Sequence, residues 1–309
     1  WGCPHDALYT PSVTLARLMA MPGFAYAPGS YVNHLTWNAA RRVNGVVLRG
    51  ADGTETTLSA ETVALAGGAL SSARIMLESV RRASGEVLTL PGLMDNQQIL
   101  LPFVNLGMIG KASDPRSYQY HQVCLEFAGR EPRQAVHAQL TTLKTGVAHP
   151  VIQSLPMDFA AATRVFRLLR STLGVANVNL HDTRRPDCTA TIEPQRSGAT
   201  FLRLTYVPAA DDAAQIARAN ERVRSALGAL GCIVPPGMSH IRPKGASVHY
   251  AGLIPMGGAA APLTATADGK SADVDGVWFA DGVTFPFLPA KNITFTLMAN
   301  AVRVARAMT

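Results

Sequence analysis

Cysteine, aromatic residues and charge are all scarce in this sequence. Four cysteines in 309 residues, Cys3, Cys124, Cys188 and Cys232, lie far apart and form no CxxC or Cys/His cluster. That spacing excludes a disulfide framework and offers no metal site, so they read as buried or inert thiols. Aromatics are 6% and charged residues 16%, and Lys and Arg are scattered, with only short pairs at Arg41-Arg42, Arg81-Arg82 and Arg184-Arg185. A net charge of +7 without a basic stripe implies a general preference for anionic ligands and argues against nucleic acid. No apolar run approaches the roughly 18 residues of a membrane helix, and no charged-then-apolar leader opens the chain. The compartment stays open, with the cytoplasm as the working expectation. The chain starts at Trp1 and not at Met, as expected of a processed chain or a piece of a longer one.

What is present is an apolar, loop-rich globular profile: 48% hydrophobic residues, 26 glycines and 20 prolines, on a chain long enough for one large domain or two. Residues 12–20 read as a short helix with Ser12 as its cap, stopping at Pro22-Gly23. GSYVNHLTWN and RVNGVVLRGADG follow as a strand pair with a turn at Asp52-Gly53. A strand Val63–Ala66 then runs through Gly67-Gly68 into a helix over 70–81. In open α/β sheets ligands sit at such strand-to-helix junctions, although a tight turn without ligand has the same spacing.

Between about 95 and 243 the texture changes. QVCLEFAG, TATIEP and FLRLTYVP suit an antiparallel sheet, and helices are expected over 157–172 and 210–227. From 245 a glycine-rich apolar stretch carries His249, and a strand Val277–Ala280 leads through Asp281-Gly282 to a last helix starting near Asn292. Its apolar positions are Leu297, Ala301, Val304 and Ala305.

Two residues stand out chemically. An imidazole such as His249 can accept an alcohol proton near neutral pH, although a lone histidine in an apolar stretch also fits a hydrogen-bonded core residue. His5, His34, His121, His137, His149, His181 and His240 lack a comparable context. Asn292 lies where unpaired helix N–H groups can stabilise an anion; on position alone it reads equally as an N-cap.

Four segments resemble the glucose–methanol–choline (GMC) oxidoreductase family, in that family's order. GGALSSARIMLES at 67–79 resembles its second signature, departing at Ala73 and, just beyond, at Val80. HYAGLIPMGG at 249–258 resembles its His-x-x-Gly-Thr-x-x-Met-Gly, with Leu253 in place of Thr. VDGVWFADGVTFPFLPAKNITFTLMANAVRVA resembles its terminal block, and the Tyr31–Gly53 strand pair precedes signature two as in the family. Together these segments span roughly half of the chain, at both its ends.

The resemblance implies an α/β (α+β) fold: an incomplete Rossmann-like FAD-binding domain from 1–94 and 244–309, and a substrate-binding domain over 95–243 built on an antiparallel sheet with helices. It implies FAD as cofactor and a small-molecule alcohol as substrate. His249 would take the hydroxyl proton while hydride passes to flavin N5, and Asn292 would hold the substrate oxygen. Val32 would touch adenine, Asp281 and Gly282 would lie near the pyrophosphate or ribityl chain, and Gly68 would let the cofactor come close. Ile293 and Thr294 would present backbone N–H groups to the pyrimidine edge, and Asn292 would also border the cofactor. Lys291 departs from the pattern as a cation beside an anionic flavin. No GxGxxG occurs anywhere in the sequence, so the phosphate-cradling unit is expected from a missing N-terminal segment or a second chain. Strand edges that such a unit pairs with would be exposed. Two alternatives stay open: a non-catalytic partner subunit that completes a flavin site with another polypeptide, and an FAD-dependent lyase on the same scaffold. The electron acceptor is open as well.

Overall fold

The computed structural model describes residues 9–112, 123–129, 131, 134–142, 152–153, 155–195, 200–258 and 261–309. Cys3, His5, His121 and His149 lie outside them. Among the described residues the longer helices are α1 (Pro11–Met19), α2 (Ala69–Ser84), α3 (Phe159–Leu169), α4 (Asp212–Ala229) and α5 (Thr294–Met308). Mixed helices and antiparallel sheets make up the architecture, as expected from the sequence.

Helix α1 begins one residue earlier than its sequence pattern predicts. Thr10 is the N-cap position and Pro11 takes the first turn, where its fixed φ and missing N–H cost nothing. Ser12 is inside the helix, its hydroxyl 2.6 Å from that of Thr10.

Tyr31–Trp37, Val43–Arg49 and Glu55–Ser59 form an antiparallel meander. Its inner side rests on α2, whose Ala73, Ile75, Met76 and Leu77 are buried with Leu35 and Val43. Full burial of side chains such as Met76 and Leu77 is worth roughly 1.5–3 kcal/mol each. The Ser79 hydroxyl accepts from Leu35 N at 2.8 Å. Glu78, only 1% exposed, sits inside the packing face because Arg81 and Arg82 clamp it at 2.6 and 2.7 Å. Gly85 ends the helix with φ 77°, a left-handed conformation that glycine adopts without a Cβ clash.

Against the same core stands a second small sheet, Thr200–Thr205, Thr189–Pro194 and Thr89–Pro91. Cys188, Ala190 and Ile192 are fully or almost fully buried there, beside Leu90 and Met76. TATIEP and FLRLTYV therefore pack with the meander and α2, the first body of the fold, and lie apart from the large sheet of the 95–243 segment. Their shared strand chemistry gave no hint of which body they join.

That large sheet runs Cys232–Ile233, Gln98–Asn105, Leu173–Asn179, Val136–Thr142, Val123–Phe127 in spatial order, all antiparallel, with His240–Ile241 also paired to Gln98–Asn105. Alternation gives it two unlike faces. Ile99, Leu101, Ala138, Ala176 and Val178 point to α4, which returns Ala219, Val223 and Leu227 into the same core. The opposite face carries Gln98, Asn177, Asn179, His137 and Gln139.

The first body closes with a parallel pair, Val63–Leu65 beside Val277–Phe279. From these two strand ends the chain enters α2 and the Asp281 turn. Helix α5 buries Asn300 and Val304 and leaves Ala305 exposed, so its inner stripe is narrower than the sequence expectation. No helix among the described residues is long and apolar enough to cross a membrane.

Candidate active site

His249 is held by three neighbours. Val248 before it adopts φ 58°, rare for a β-branched residue, and remains 77% exposed. The Ser247 hydroxyl steadies this strained joint: it accepts from His249 N at 3.0 Å and donates to Asp95 Oδ1. Asp95 also takes Gly245 N at 2.6 Å, so the loop before His249 hangs on one buried carboxylate. Strain of this kind persists only where surrounding bonds over-determine it. Tyr250–Ala251 then pairs with Met94–Asp95.

The ring's orientation comes from Asn96, a residue whose role the sequence does not announce. Asn96 Nδ2 donates to the carbonyls of Leu180 at 2.7 Å and Pro289 at 3.1 Å. With the amide so fixed, its oxygen is the atom 3.0 Å from His249 Nδ1. An acceptor there requires Nδ1–H, which leaves the lone pair on Nε2. Burial lowers the pKa of His249, only partly offset by Asp95, so the ring is neutral at pH 7 and able to accept a proton. The detectable signal was the polar run Asp95-Asn96-Gln97-Gln98 between two apolar segments; all four residues are buried.

Asn292 stands outside helix α5. The N-cap position is Ile293, buried, and the helix starts at Thr294, so Asn292 is no N-cap. Its side chain is exposed and has no hydrogen-bond partner among the described residues. Thr294 beside it is exposed as well, at the end where helix N–H groups are unpaired. Asn96, through Pro289, ties the segment leading to Asn292 to the His249 ring. Lys291 pairs with Glu126 at 2.8 Å; this partner from the large sheet answers its positive charge.

Asp281 and Gly68 are joined directly. Asp281 is 6% exposed; its Oδ2 accepts from Gly68 N at 2.9 Å and Ser72 Oγ at 2.5 Å, and its Oδ1 accepts from Val283 N at 2.9 Å. Burial raises its pKa, opposed by these three donors. The carboxylate is thus spent on the start of α2, where Gly68 has no side chain to cap with. Gly282 lies under the Tyr250 carbonyl, 3.2 Å from where a Cβ would be, and its own carbonyl accepts from Gly252 N. Gly68 itself is exposed, with φ 87° and nothing within 4 Å of the place a Cβ would take.

Val32 lines a groove of about 360 Å³ with Tyr31, Gly67, Leu70, Ser71 and Arg74. Arg74 holds its wall by donating to the carbonyls of Val32 and Asn33 and by stacking over Tyr31. The groove opens at the carboxyl end of strand Val63–Leu65, the position where α/β sheets bind ligands.

A profile of the GMC oxidoreductase family matches residues 147–301. The chain belongs to the GMC oxidoreductase family. Solved structures agree on the fold. Pyridoxine 4-oxidase from Mesorbium loti aligns with a TM-score of 0.55 at 16% identity, over 90% of this chain and 57% of that one. An FAD-dependent oxidoreductase from Chaetomium thermophilum aligns with a TM-score of 0.59 at 16% identity, over 95% of this chain and 63% of that one. This GMC chain therefore spans less than two thirds of either structure. No curated protein sequence matches it. Family and neighbours point to FAD as the cofactor. The residues in place fit such a group: an open groove with apolar walls, an exposed glycine junction beside it, and a bare helix start at Thr294.

Proposed function

We propose that this GMC protein oxidises the CH–OH group of a small-molecule alcohol, with His249 as base and Asn292 as the oxygen-holding group. The carrying observation is the Asn96 amide, whose two carbonyl partners leave His249 with Nδ1–H and a free lone pair on Nε2. A neutral imidazole with that tautomer accepts the hydroxyl proton at Nε2, which makes the carbinol C–H a competent hydride donor. The unpartnered Asn292 side chain then donates to the oxygen as charge develops on it.

FAD, when bound, supplies the hydride acceptor. Val32 and Gly68 would hold it along the groove beside α2, and the backbone around Asp281 and Gly282 would run near its pyrophosphate or ribityl part. The N–H groups of Ile293 and Thr294 would face its pyrimidine edge. A phosphate-cradling unit from a further segment or a second polypeptide completes the site in this reading.

The test is anaerobic flavin reduction by a primary alcohol, followed in the FAD-loaded protein. Changing His249 to Ala is expected to slow reduction by about 10²–10⁴-fold. Rates equal to the unmodified protein would refute the base.

A further inference from the structure

Gln98–Asn105 begins beside Asn96 and ends about 24 Å away, at roughly 3.4 Å per residue. Asn105 thus marks the end of the large sheet farthest along that strand from His249. Other segments converge on it there. Leu173 and Ile233 both pair with Val104, and Cys232 pairs with Asn105 itself. The Leu106–Met108 turn follows directly, with Gly107 N donating to the Asn105 side chain at 3.1 Å. The end of α3 closes against that turn: Ser171 Oγ donates to the Met108 carbonyl at 3.0 Å, and Asn105 N to the Thr172 carbonyl at 2.8 Å. Leu230, the C-cap of α4, stands two residues before Cys232.

Five aliphatic side chains crown this end, Leu106, Ile109, Leu168, Leu230 and Ile233, each between 49% and 61% exposed. Single exposed aliphatics are ordinary, but five on converging turns form a patch of the kind that marks an interaction surface. Its charge is one-sided. Residues 98–111, 159–181 and 222–245, whose turns build this end, contain no Asp or Glu. Lys111, Arg164 and Arg167 stand exposed and make no ion pair among the described residues. Asp158 caps the opposite end of α3, roughly 16 Å off at 1.5 Å per residue, and its side chain accepts from Ala161 N. Glu126, on the outermost strand, lies in the cross-strand row of Gln98 at the other end of the sheet and pairs with Lys291.

Charge and composition choose among the partners such a patch fits. A second copy would set like charges against one another. Single-stranded nucleic acid needs aromatic side chains to stack on, and the patch has none. A phosphate-cradling unit, in the reading above, joins at the groove of Val32 and Gly67, on the first body of the fold. An anionic lipid bilayer answers both features, taking aliphatic side chains into its headgroup layer and drawing Lys and Arg to its surface. We propose that this end of the large sheet docks on an anionic membrane surface. The five aliphatic side chains enter the headgroup layer, and Lys111, Arg164 and Arg167 meet lipid phosphates and carboxylates. Docking of this kind is peripheral and does not depend on the alcohol-oxidation reading.

The test is co-sedimentation of the full chain with phosphatidylcholine vesicles, with and without phosphatidylserine, at physiological ionic strength. Binding is expected to the phosphatidylserine vesicles and at least about tenfold more weakly to phosphatidylcholine alone, because each Lys or Arg at an anionic leaflet is worth roughly fivefold. Leu106→Ser with Ile109→Ser, and Arg164→Glu with Arg167→Glu, should each weaken binding by about tenfold or more. Arg17→Glu on α1 with Arg49→Glu on the meander makes the same charge change at exposed positions elsewhere and should bind as the unmodified protein. All six side chains are exposed, so urea midpoints should not move, and one tip pair that folds suffices. No binding to phosphatidylserine vesicles, equal binding to both vesicle types, or equal weakening by the control pair overturns the proposal. So does a dimer in sedimentation velocity that the tip variants split while vesicle binding stays unchanged, which would assign the patch to a second copy.

Discussion

Asn96 Oδ1 lies 3.0 Å from His249 Nδ1, and the other end of the same amide is anchored on the carbonyls of Leu180 and Pro289. One side chain thereby sets the tautomer of the His249 imidazole, the proposed base, and ties it to the segment carrying Asn292. Replacing Asn96 by Leu removes both effects. Flavin reduction should slow by about 10–100-fold, the range typical when an orienting partner is lost. Asn96→Asp should favour the imidazolium and shift the acid limb of the pH–rate profile upward, which stopped-flow rates across pH would detect.

The acid limb of the unmodified protein should lie below pH 6.5. Burial lowers the pKa of His249, so the ring stays unprotonated, and active, to a lower pH than a free histidine. A limb above pH 7 would contradict a desolvated base.

Stability should follow the same groups. His34, His137, His181 and His249 all have pKa values lowered, each first by burial. Between their folded values and about 6.5, the unfolded chain binds more protons, so stability falls as pH drops through that window, by about 1.4 kcal/mol per pH unit for each proton. Asp182 and Asp281, raised by burial, act in the opposite sense just above 3.8, where the folded state holds the extra proton. Urea midpoints from pH 7.5 to 5 should therefore decrease steadily; a flat profile would show that these rings titrate normally.

Asp281 joins the last strand to the start of α2 through Gly68 and Ser72. Asp281→Ala strands three donors, of which Ser72 Oγ and Val283 N are buried, and should cost about 2–4 kcal/mol, against about 1 kcal/mol for Ser72→Ala, which removes one bond. Urea denaturation separates the two. A loss under 1 kcal/mol at Asp281 would mean that the carboxylate is not part of the fold's closure.

Gly252, the glycine of the His-x-x-Gly stretch, has φ 91°, and a Cβ there would meet the Gly92 carbonyl at 2.6 Å. Backbone and shape both exclude a side chain, so Gly252→Ala should destabilise by roughly 2–4 kcal/mol and displace His249, three residues away. The check is a thermal melt together with the flavin-reduction rate; a variant normal in both would remove the packing explanation.

Much of the fold was legible because periodicity is local. Helices α2 and α4 and the Tyr31–Arg49 hairpin come within a few residues of their sequence patterns. The arginine pairs were legible only as scattered charge. In the fold Arg81 and Arg82 hold Glu78, and Arg184 donates to Gly252 and Pro91 carbonyls, structural posts unrelated to an anionic partner. The thiols divide as well: Cys188 is buried, whereas Cys124 is exposed. TATIEP joined the first body because its Ala190 and Ile192 fit against α2, a contact between residues more than a hundred positions apart that no window of sequence contains.

The sequence by itself determined the chemical types at the site. His249 in a glycine-flanked apolar stretch, Asn292 ahead of a helix and the Asp281-Gly282 turn were all readable, because motif spacing fixes which residues meet within one strand–turn–helix unit. Only the tertiary structure decided how those types are used. It took Asp281 into the start of α2, moved the helix cap from Asn292 to Ile293, paired Lys291 with Glu126 and gave His249 its tautomer through Asn96. Each of these depends on satisfying a buried polar group with a partner from a distant segment. Such pairing is settled by packing across the whole molecule, and local sequence carries no record of it.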